Sequence, residues 1–534
     1  MESDWSRERR RLVFKESKIR HERVLKVSRM SGNAAQALER FRELTRKIKL
    51  YEEILGVVYW DMRTGAPRKG IERRSEAVGA LSDEVFRLMV SDEMGELLAA
   101  LTEEESLREL GPVDRRLVEE MKKEYDRKKK IPPELNREYV VLTAKAEAVW
   151  EEAKAKSDFA GFAPYLEQIV DYTRRFVELW GVKGTPYDTL LDLYEPDLTV
   201  ADCDRLFGEL KARLVPLLEA IMNSPHQPDT SFLRGTFDTD AQKRFSLFIL
   251  REMGFDFEGG RLDESVHPFA IGLGAGDVRI TTRYLHDDVV SALFGTIHEG
   301  GHALYEQNFA PELAGTHLAD GASMAVHESQ SRLWENMVGR SLPFWRRYFP
   351  ALQSHFPGAF DGVTPEAFYR AINVVRPSLI RIEADELTYN LHIMIRYELE
   401  KKLFNEGLSV RDLPEAWNAA YRETLGVEPR NDGEGVLQDV HWSGGAFGYF
   451  PSYSLGNMYA AQIMRAARRH LPDLDGLIEA GKLLPLKEWL TEHVHRHGKL
   501  LRPAELIRAI SGEPLNSAYL CDYLETKYRE IYRL

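Results

Sequence analysis

Apolar residues recur every three to four positions along most of the chain, with charged residues between them. The pattern is clearest between residues 34 and 211, in segments such as ALERFRELTRKIKLYEEIL and VDRRLVEEMKKEYDRKKK. This period places the apolar side chains on one face of an α-helix. The second segment runs into Ile131-Pro132-Pro133, where consecutive prolines end a helix. The sequence therefore predicts a mostly α-helical protein.

One region, residues 267–285, has a strand pattern instead. Two short apolar runs, AIGLG and DVRITTRYL, flank the turn residues Ala275-Gly276, which is typical of a hairpin. A Gly-rich, aromatic-rich segment at 432–457 is predicted to be irregular. We therefore expect a mostly α fold with a small antiparallel β-sheet.

Composition and charge exclude several classes of protein. The chain has 534 residues, with 72 basic and 85 acidic side chains and a net charge of −13, which argues against nucleic-acid binding. The sequence has no run of 18 apolar residues, so no membrane span is predicted. It has no apolar segment near the N-terminus, so no secretory signal is predicted. Two cysteines, Cys203 and Cys521, are too few for a disulfide framework, so we expect a cytoplasmic protein.

Residues 1–29 differ from the rest, with ten Lys or Arg against five Asp or Glu. We predict a basic extension over residues 1–33, either flexible or helical, and Met30 is an alternative start.

The segment His298-Glu299-Gly300-Gly301-His302 is an H-E-x-x-H motif. Positions i and i+4 share a helix face, so both imidazoles can bind one cation. Glu299 can take the proton when a metal-bound water attacks a carbonyl, as in zinc peptidases. Two consecutive glycines are costly inside a helix, so another element is expected to pack closely there.

A catalytic zinc needs a third protein ligand. Glu328 follows His302 by 26 residues, which is far enough for a second helix to cross beside the first. His327 and Glu335 are the alternatives. Glu335 lies two helical turns after Glu328 and is also a candidate hydrogen-bond partner of a ligand.

With these motifs the sequence resembles the carboxypeptidase Taq family of metallocarboxypeptidases, over nearly the whole chain after residue ~34. The motifs that carry the resemblance are, in order, His267-Pro268-Phe269, D-x-R-x-T at 277–281, the H-E-x-x-H at 298–302, H-E-S-Q at 327–330, I-R-x-x-A-D at 380–385 and G-x-x-Q-D-x-H-W at 435–442. The resemblance implies a helical metallopeptidase with a long deep substrate groove, with a groove wall at 34–230 and a catalytic half at 231–534 in a single unit.

The resemblance also implies an activity and a site. The activity is removal of C-terminal residues from peptides, with broad specificity and poor use of C-terminal proline. The metal ligands carry over onto His298, His302 and Glu328, and the base onto Glu299. One Zn²⁺ per chain is implied, with Co²⁺ as an alternative, and the family is usually homodimeric.

A carboxypeptidase must bind the free terminal carboxylate of its peptide, and arginine is the natural partner. Arg381, predicted on a helix after Pro377, is the candidate clamp, and the alternative is an ion pair with neighbouring acids. Arg279 either pairs with Asp277 or, by resemblance, helps to close one end of the groove. The candidate donors to the oxyanion are left open among His267, His441, Tyr449 and Tyr453.

Two other functions remain open from the residues alone. A thimet-type helical oligopeptidase also combines H-E-x-x-H with a glutamate about 25 residues later. A helical binding protein without catalytic activity would need a broken ligand set, and all four metal-site residues are present here.

Overall fold

The computed structural model describes residues 32–534. The predicted basic extension therefore lies outside the described residues, except for its last two positions, which begin a helix. From residue 32 onwards, the first ten α-helices are α1 (Gly32–Thr64), α2 (Ile71–Met89), α3 (Asp92–Thr102), α4 (Glu104–Glu109), α5 (Pro112–Lys129), α6 (Pro133–Lys156), α7 (Phe159–Trp180), α8 (Pro186–Leu191), α9 (Val200–Asn223) and α10 (Thr239–Met253).

A small sheet and the two helices of the candidate site follow. Their bounds are β1 (Gly260–Glu264), β2 (Ala270–Gly272), β3 (Val278–Thr282), α11 (Val289–Glu306) and α12 (Met324–Arg332). A π-helix, Leu333–Gly339, continues α12 directly. Such wide turns are rare and are frequently found at functional sites.

The chain then returns to helices. These are α13 (Leu342–His355), α14 (Pro365–Ile372), α15 (Thr388–Asn405), α16 (Leu413–Leu425), α17 (Pro451–His470), α18 (Leu474–Glu479), α19 (Leu484–His493), α20 (Pro503–Ser511) and α21 (Ala518–Tyr532). The prediction of a mostly α fold with a small sheet is confirmed. None of the helices between residues 32 and 534 combines the length and the apolar character that crossing a membrane requires.

The sheet has three strands in the order β1-β3-β2. The predicted hairpin is confirmed, since β2 pairs antiparallel with β3 and Ile271 lies opposite Arg279. The sheet is mixed rather than purely antiparallel, because β1 pairs parallel with β3. The sequence of β1, GRLDE, has neither the alternation nor the β-branched residues of a typical strand, so it was not predicted. β3 is mostly buried and packs against α11, where the Thr282 hydroxyl approaches the Ala292 carbonyl at 3.4 Å.

Two separate groups of buried apolar side chains stabilise the fold. Helices α1 to α5 pack around a cluster of their own, which also includes Ala310, Leu313 and Leu318. The larger cluster draws residues from Ala146 to Tyr532 and surrounds α11, α12 and α17. This larger core takes residues from both sides of position 230, and the division of the chain there stays a prediction.

Candidate metal centre

Three side chains from two helices converge on one point. His298 and His302 lie one turn apart on α11, with ring centroids separated by 4.9 Å. The Glu328 Oε2 atom, on α12, lies 3.6 Å from the Nε2 atom of His298 and 3.4 Å from that of His302. Ligand atoms of a tetrahedral zinc with bonds of about 2.0 Å are separated by roughly 3.3 Å. Two imidazoles and one carboxylate at these separations fit a catalytic zinc ion.

The close approach of α11 to α12 depends on a glycine. A Cβ atom at Gly301 would lie 2.6 Å from the Gln330 carbonyl oxygen and 2.7 Å from the Ser331 Cα atom. At Gly300 it would lie 2.8 Å from the Leu250 side chain. The two glycines of the motif thus have neighbours packed against them, as expected from the sequence.

His298 is supported by a carboxylate. Its Nδ1 atom lies 2.9 Å from Glu335 Oε2, and Glu335 is itself held by Arg332 at 3.1 Å and Arg340 at 3.4 Å. Burial acts to raise the pKa of Glu335, but the two arginines and His298 lower it to about 2. Burial acts to lower the pKa of His298, yet the charge of Glu328 and the hydrogen bond to Glu335 raise it above its ordinary value.

His302 is supported by another imidazole. Its Nδ1 atom lies 2.6 Å from the Nδ1 atom of His327, whose Nε2 atom lies 2.7 Å from Glu306 Oε1. If Nε2 of His302 binds a metal, its Nδ1–H donates to His327, and the Nε2–H of His327 donates to Glu306. Burial lowers the pKa of His302 to about 3, so its ring is neutral and ready to bind a cation.

Glu328 is fixed on both sides. Arg332 donates to its Oε1 atom at 2.7 Å, and the Ser331 hydroxyl donates to its Oε2 atom at 3.1 Å. Burial opposes ionisation, but Arg332 and the two histidines hold the pKa of Glu328 well below its ordinary value. A Cβ atom at Gly456 of α17 would lie 2.7 Å from the Glu328 Cγ atom, so that helix confines the side chain from the other face.

Glu299 lies beside these groups, on the same helix as the two histidines. Its side chain is buried, with 6% of the residue exposed. Burial raises the pKa of Glu299 to about 7. A carboxylate with this pKa can take and return a proton at neutral pH.

Arg381 is not on a helix as predicted, but in a 3-10 turn, Arg381–Glu383. It also does not pair with the acids next to it in the sequence. Instead its Nε atom donates to Asp439 Oδ1 at 2.9 Å, and an NH1 hydrogen is donated to the Tyr389 hydroxyl at 3.1 Å. The Tyr389 ring connects this arginine to the metal centre, because the Arg332 guanidinium lies 4.5 Å from the ring centroid.

The candidate oxyanion donors divide into two places. His441, Tyr449 and Tyr453 lie together near Arg381, with 3.2 Å between His441 Nε2 and the Tyr453 oxygen and 5.0 Å between the Arg381 guanidinium and the Tyr453 ring. Tyr453 is on the first turn of α17, so the segment predicted to be irregular becomes helical at Pro451. Burial lowers the pKa of His441 to about 4 and raises that of Tyr449 to about 12, which keeps both groups neutral.

His267 and Arg279 belong to the sheet region. His267 is exposed in the connection between β1 and β2. Arg279 forms a two-point ion pair with Asp277, at 2.8 and 2.7 Å, and its guanidinium lies 4.5 Å from the Trp60 ring centroid. The structure thus has the Asp277 pairing that was the alternative for Arg279.

Several residues of the site were missed from the sequence. Arg332, Arg340 and Glu306 support the candidate ligands. Arg332 lies four residues after Glu328, Glu306 lies four after His302, and Arg340 lies five after Glu335. Helical spacing from Glu328 would have found Arg332. Two cavities adjoin these supports: one of about 350 Å³ reaches His327, and one of about 230 Å³ reaches Arg332 and Glu335.

The chain is similar to known proteins over most of its length. A family model described as carboxypeptidase Taq (M32) metallopeptidase matches residues 40–528. The chain is 51% identical to Carboxypeptidase 1 of Bacillus subtilis over 92% of this chain and 98% of that protein. It is 42% identical to Thermostable carboxypeptidase 1 of Thermus thermophilus, over 93% and 99% of the two chains. The crystal structure of the M32 carboxypeptidase from Deinococcus radiodurans superposes with a TM-score of 0.90 at 38% identity, covering 93% of this chain and 100% of that one.

Proposed function

Because the chain belongs to the carboxypeptidase Taq (M32) family and is a metallocarboxypeptidase, we propose that it is a zinc-dependent enzyme that releases C-terminal residues from peptides with broad specificity. We further propose that C-terminal proline is a poor substrate, that Co²⁺ can replace Zn²⁺, and that the enzyme is a cytoplasmic homodimer.

The observation that carries the proposal is the convergence of His298, His302 and Glu328 on one point beside the buried Glu299. Two imidazoles and a carboxylate would hold one zinc ion and leave a coordination position open. When bound, zinc polarises the scissile carbonyl and makes water a better nucleophile.

The remaining steps belong to side chains of this protein. Glu299 takes a proton from the attacking water on its carboxylate and returns it to the departing amine. Its pKa of about 7 suits both transfers. Arg381 binds the terminal carboxylate of the peptide, and Tyr449, Tyr453 and His441 are the donors nearest to that arginine for the developing oxyanion. His267 and Arg279 remain candidates for substrate contacts at the sheet.

The test compares a peptide with its C-terminally amidated form. An exopeptidase that recognises a free carboxylate should cleave the free acid and leave the amide nearly intact. Equal cleavage of both would reject the exopeptidase proposal and favour an oligopeptidase of the thimet type. Zinc content, measured after dialysis against a chelator and after reloading, should track activity at about one ion per chain.

A further inference from the structure

Two arginines share the carboxylate of Asp439, and they differ in how many of their N–H groups are used. Arg396 is fully buried. It donates to Asp439 Oδ2 from Nε at 2.7 Å, to the His392 carbonyl and the Tyr421 hydroxyl from NH1 at 2.8 and 3.1 Å, and to Gln438 Oε1 from NH2 at 2.7 Å. A second contact from NH2 to Asp439 Oδ2, also at 2.7 Å, completes five. A guanidinium has five N–H groups, so Arg396 has none left for a ligand.

Arg381 is different. Its Nε and NH2 atoms both contact Asp439 Oδ1, at 2.9 and 2.8 Å, and NH1 donates to the Tyr389 hydroxyl at 3.1 Å. Two of its five N–H groups, one on each terminal nitrogen, have no acceptor within residues 32–534. Two N–H groups on the terminal nitrogens are what a bidentate contact with a carboxylate requires.

The charges of this group do not cancel. Asp439 brings one negative charge against the two guanidiniums, and His441 beside them is neutral because burial lowers its pKa to about 4. The excess is one positive charge in a mostly buried place. An anionic ligand with a single charge would neutralise it.

The place is also close to the metal centre. Arg332, which binds Glu328, stacks on one ring, Tyr389, and Arg381 donates to the hydroxyl of the same ring. The terminal carboxylate of a peptide lies one residue beyond the bond that a carboxypeptidase cuts, so its binding group must be near the metal.

We propose that Asp439, itself fixed by Arg396, is a positioning residue that holds the Arg381 guanidinium so that its two unused N–H groups receive the terminal carboxylate of the substrate. This inference rests on the proposed carboxypeptidase function. Arg396 acts only through Asp439, since every one of its N–H groups is already used. Without the Asp439 charge, two guanidiniums would face each other and repel, and Arg381 would leave this orientation.

The backbone supports the same arrangement. Gln438 Oε1 accepts the backbone N–H of Arg381 at 3.0 Å as well as an NH2 hydrogen of Arg396. Gln438 and Asp439 therefore fix both the turn that carries Arg381 and its side chain. The G-x-x-Q-D-x-H-W motif holds the I-R-x-x-A-D motif in place through these two residues.

The experiment measures kcat and KM of the zinc-loaded full chain on a short N-blocked peptide with a free C-terminus. The variants are Asp439→Asn, which removes the charge at nearly constant shape, and Asp439→Glu, which keeps the charge. A matched control is Asp475→Asn, which removes the partner of Arg468 in a two-point ion pair of 3.0 and 2.8 Å at the surface. We expect Asp439→Asn to raise KM by about 10- to 100-fold with a much smaller change in kcat, because a charge-assisted contact loses its geometry.

Asp439→Glu should lie between the wild type and Asp439→Asn in KM, and Asp475→Asn should match the wild type. Zinc content should be unchanged in all of them. An unchanged or lowered KM in Asp439→Asn would overturn the proposal, since a lowered value would make Asp439 a competitor of the substrate. If Asp439→Asn does not fold, Asp439→Glu decides, because its longer side chain displaces the carboxylate that contacts Arg381 at 2.9 and 2.8 Å. A wild-type KM in that variant would show that the position of this carboxylate does not matter and would overturn the proposal.

The failure of this inference and the failure of the proposed function give different results. If the wild type cleaves the amidated peptide as well as the free acid, the carboxypeptidase proposal itself fails. If the wild type requires the free acid and Asp439→Asn keeps the wild-type KM, only the positioning role of Asp439 fails.

Discussion

The two histidines of the H-E-x-x-H motif share a helix and a candidate metal, but their supports are chemically different. His298 is hydrogen-bonded to a carboxylate, Glu335, which two arginines keep ionised. His302 contacts the imidazole of another residue, His327, which in turn contacts a carboxylate, Glu306. The pKa values of these two candidate ligands, one helical turn apart, are therefore shifted in opposite directions.

The difference shows in the proton affinities of the two rings. The pKa of His298 is raised, while that of His302 is lowered to about 3. A proton must leave an imidazole nitrogen before a metal can bind to it. His302 is thus neutral and free to bind a metal near neutral pH, whereas His298 is the candidate ligand at which protons compete with the metal.

The largest effect on activity is expected at Glu299, which lies between the two histidines in the sequence. We expect Glu299→Gln to keep one zinc per chain and to lower kcat by about 10²- to 10⁴-fold, because the general base is lost while the ligands are intact. Steady-state kinetics and metal analysis on the same sample check it. Activity retained in this variant would remove Glu299 from the mechanism.

The comparison itself is tested by removing each support. Glu335→Gln and His327→Gln should both weaken zinc binding by about 10- to 100-fold, as replacements of ligand supports do. The loss should be larger for Glu335→Gln, because it also leaves Arg340 without its carboxylate partner and removes one of the two carboxylates that Arg332 binds. Competition with a chromophoric chelator measures both affinities. Equal losses would mean that the two supports are equivalent.

Lowering the pH should reveal the difference in pKa between His298 and His302 as a loss of zinc affinity. With its pKa raised, His298 takes up a proton in the metal-free protein before His302 does, so zinc affinity should fall as pH decreases through the His298 pKa. Removing the Glu335 charge lowers that pKa, so in Glu335→Gln the fall should begin at a lower pH. Zinc titrations between about pH 5 and 8 test this. A His327→Gln protein with the same displacement would contradict the assignment to His298.

The smallest effect on activity is expected at a buried acid outside both supports. Glu195 accepts from the Ala325 backbone N–H at 2.6 Å at the start of α12, and burial raises its pKa to about 7. The unfolded chain releases this proton near pH 4.5, so the folded state loses stability as pH rises from there to about 7. Glu195→Gln should flatten this part of the profile by a few degrees in Tm between about pH 5 and 8, with kcat unchanged. An unchanged slope would show that Glu195 does not titrate there.

The helices and the position of the two histidines could be predicted from the sequence, because local spacing determines both. The 3.6-residue period gave the helices, and the i, i+4 spacing placed His298 and His302 on one face. The pairing of Gly300 and Gly301 correctly signalled close packing. The sequence favoured Glu328, 26 residues after His302, and left His327 and Glu335 as alternatives, and in the structure the helix of Glu328 crosses α11 and brings its carboxylate to the two histidines.

What the sequence did not give depends on contacts between distant segments. Asp439 binds Arg381 across 58 positions, and no local pattern favours it over the acids adjacent to Arg381. The third strand, β1, forms because β3 offers it a partner, not because its own residues favour a strand. The wide π-helical turns that carry Glu335 likewise have no periodic signal of their own.

The helix that carries Glu328 lies in a slot between two glycines, Gly301 on α11 and Gly456 on α17. One methyl group at either position would meet α12 at 2.7 Å or less and would have to push it aside. Such a change would move Glu328 away from the two histidines and lower activity, although every metal-binding and substrate-binding residue would be unchanged in the sequence. To judge whether a homologous gene encodes an active peptidase, one must therefore check that glycine is present at these two positions, in addition to checking the catalytic residues.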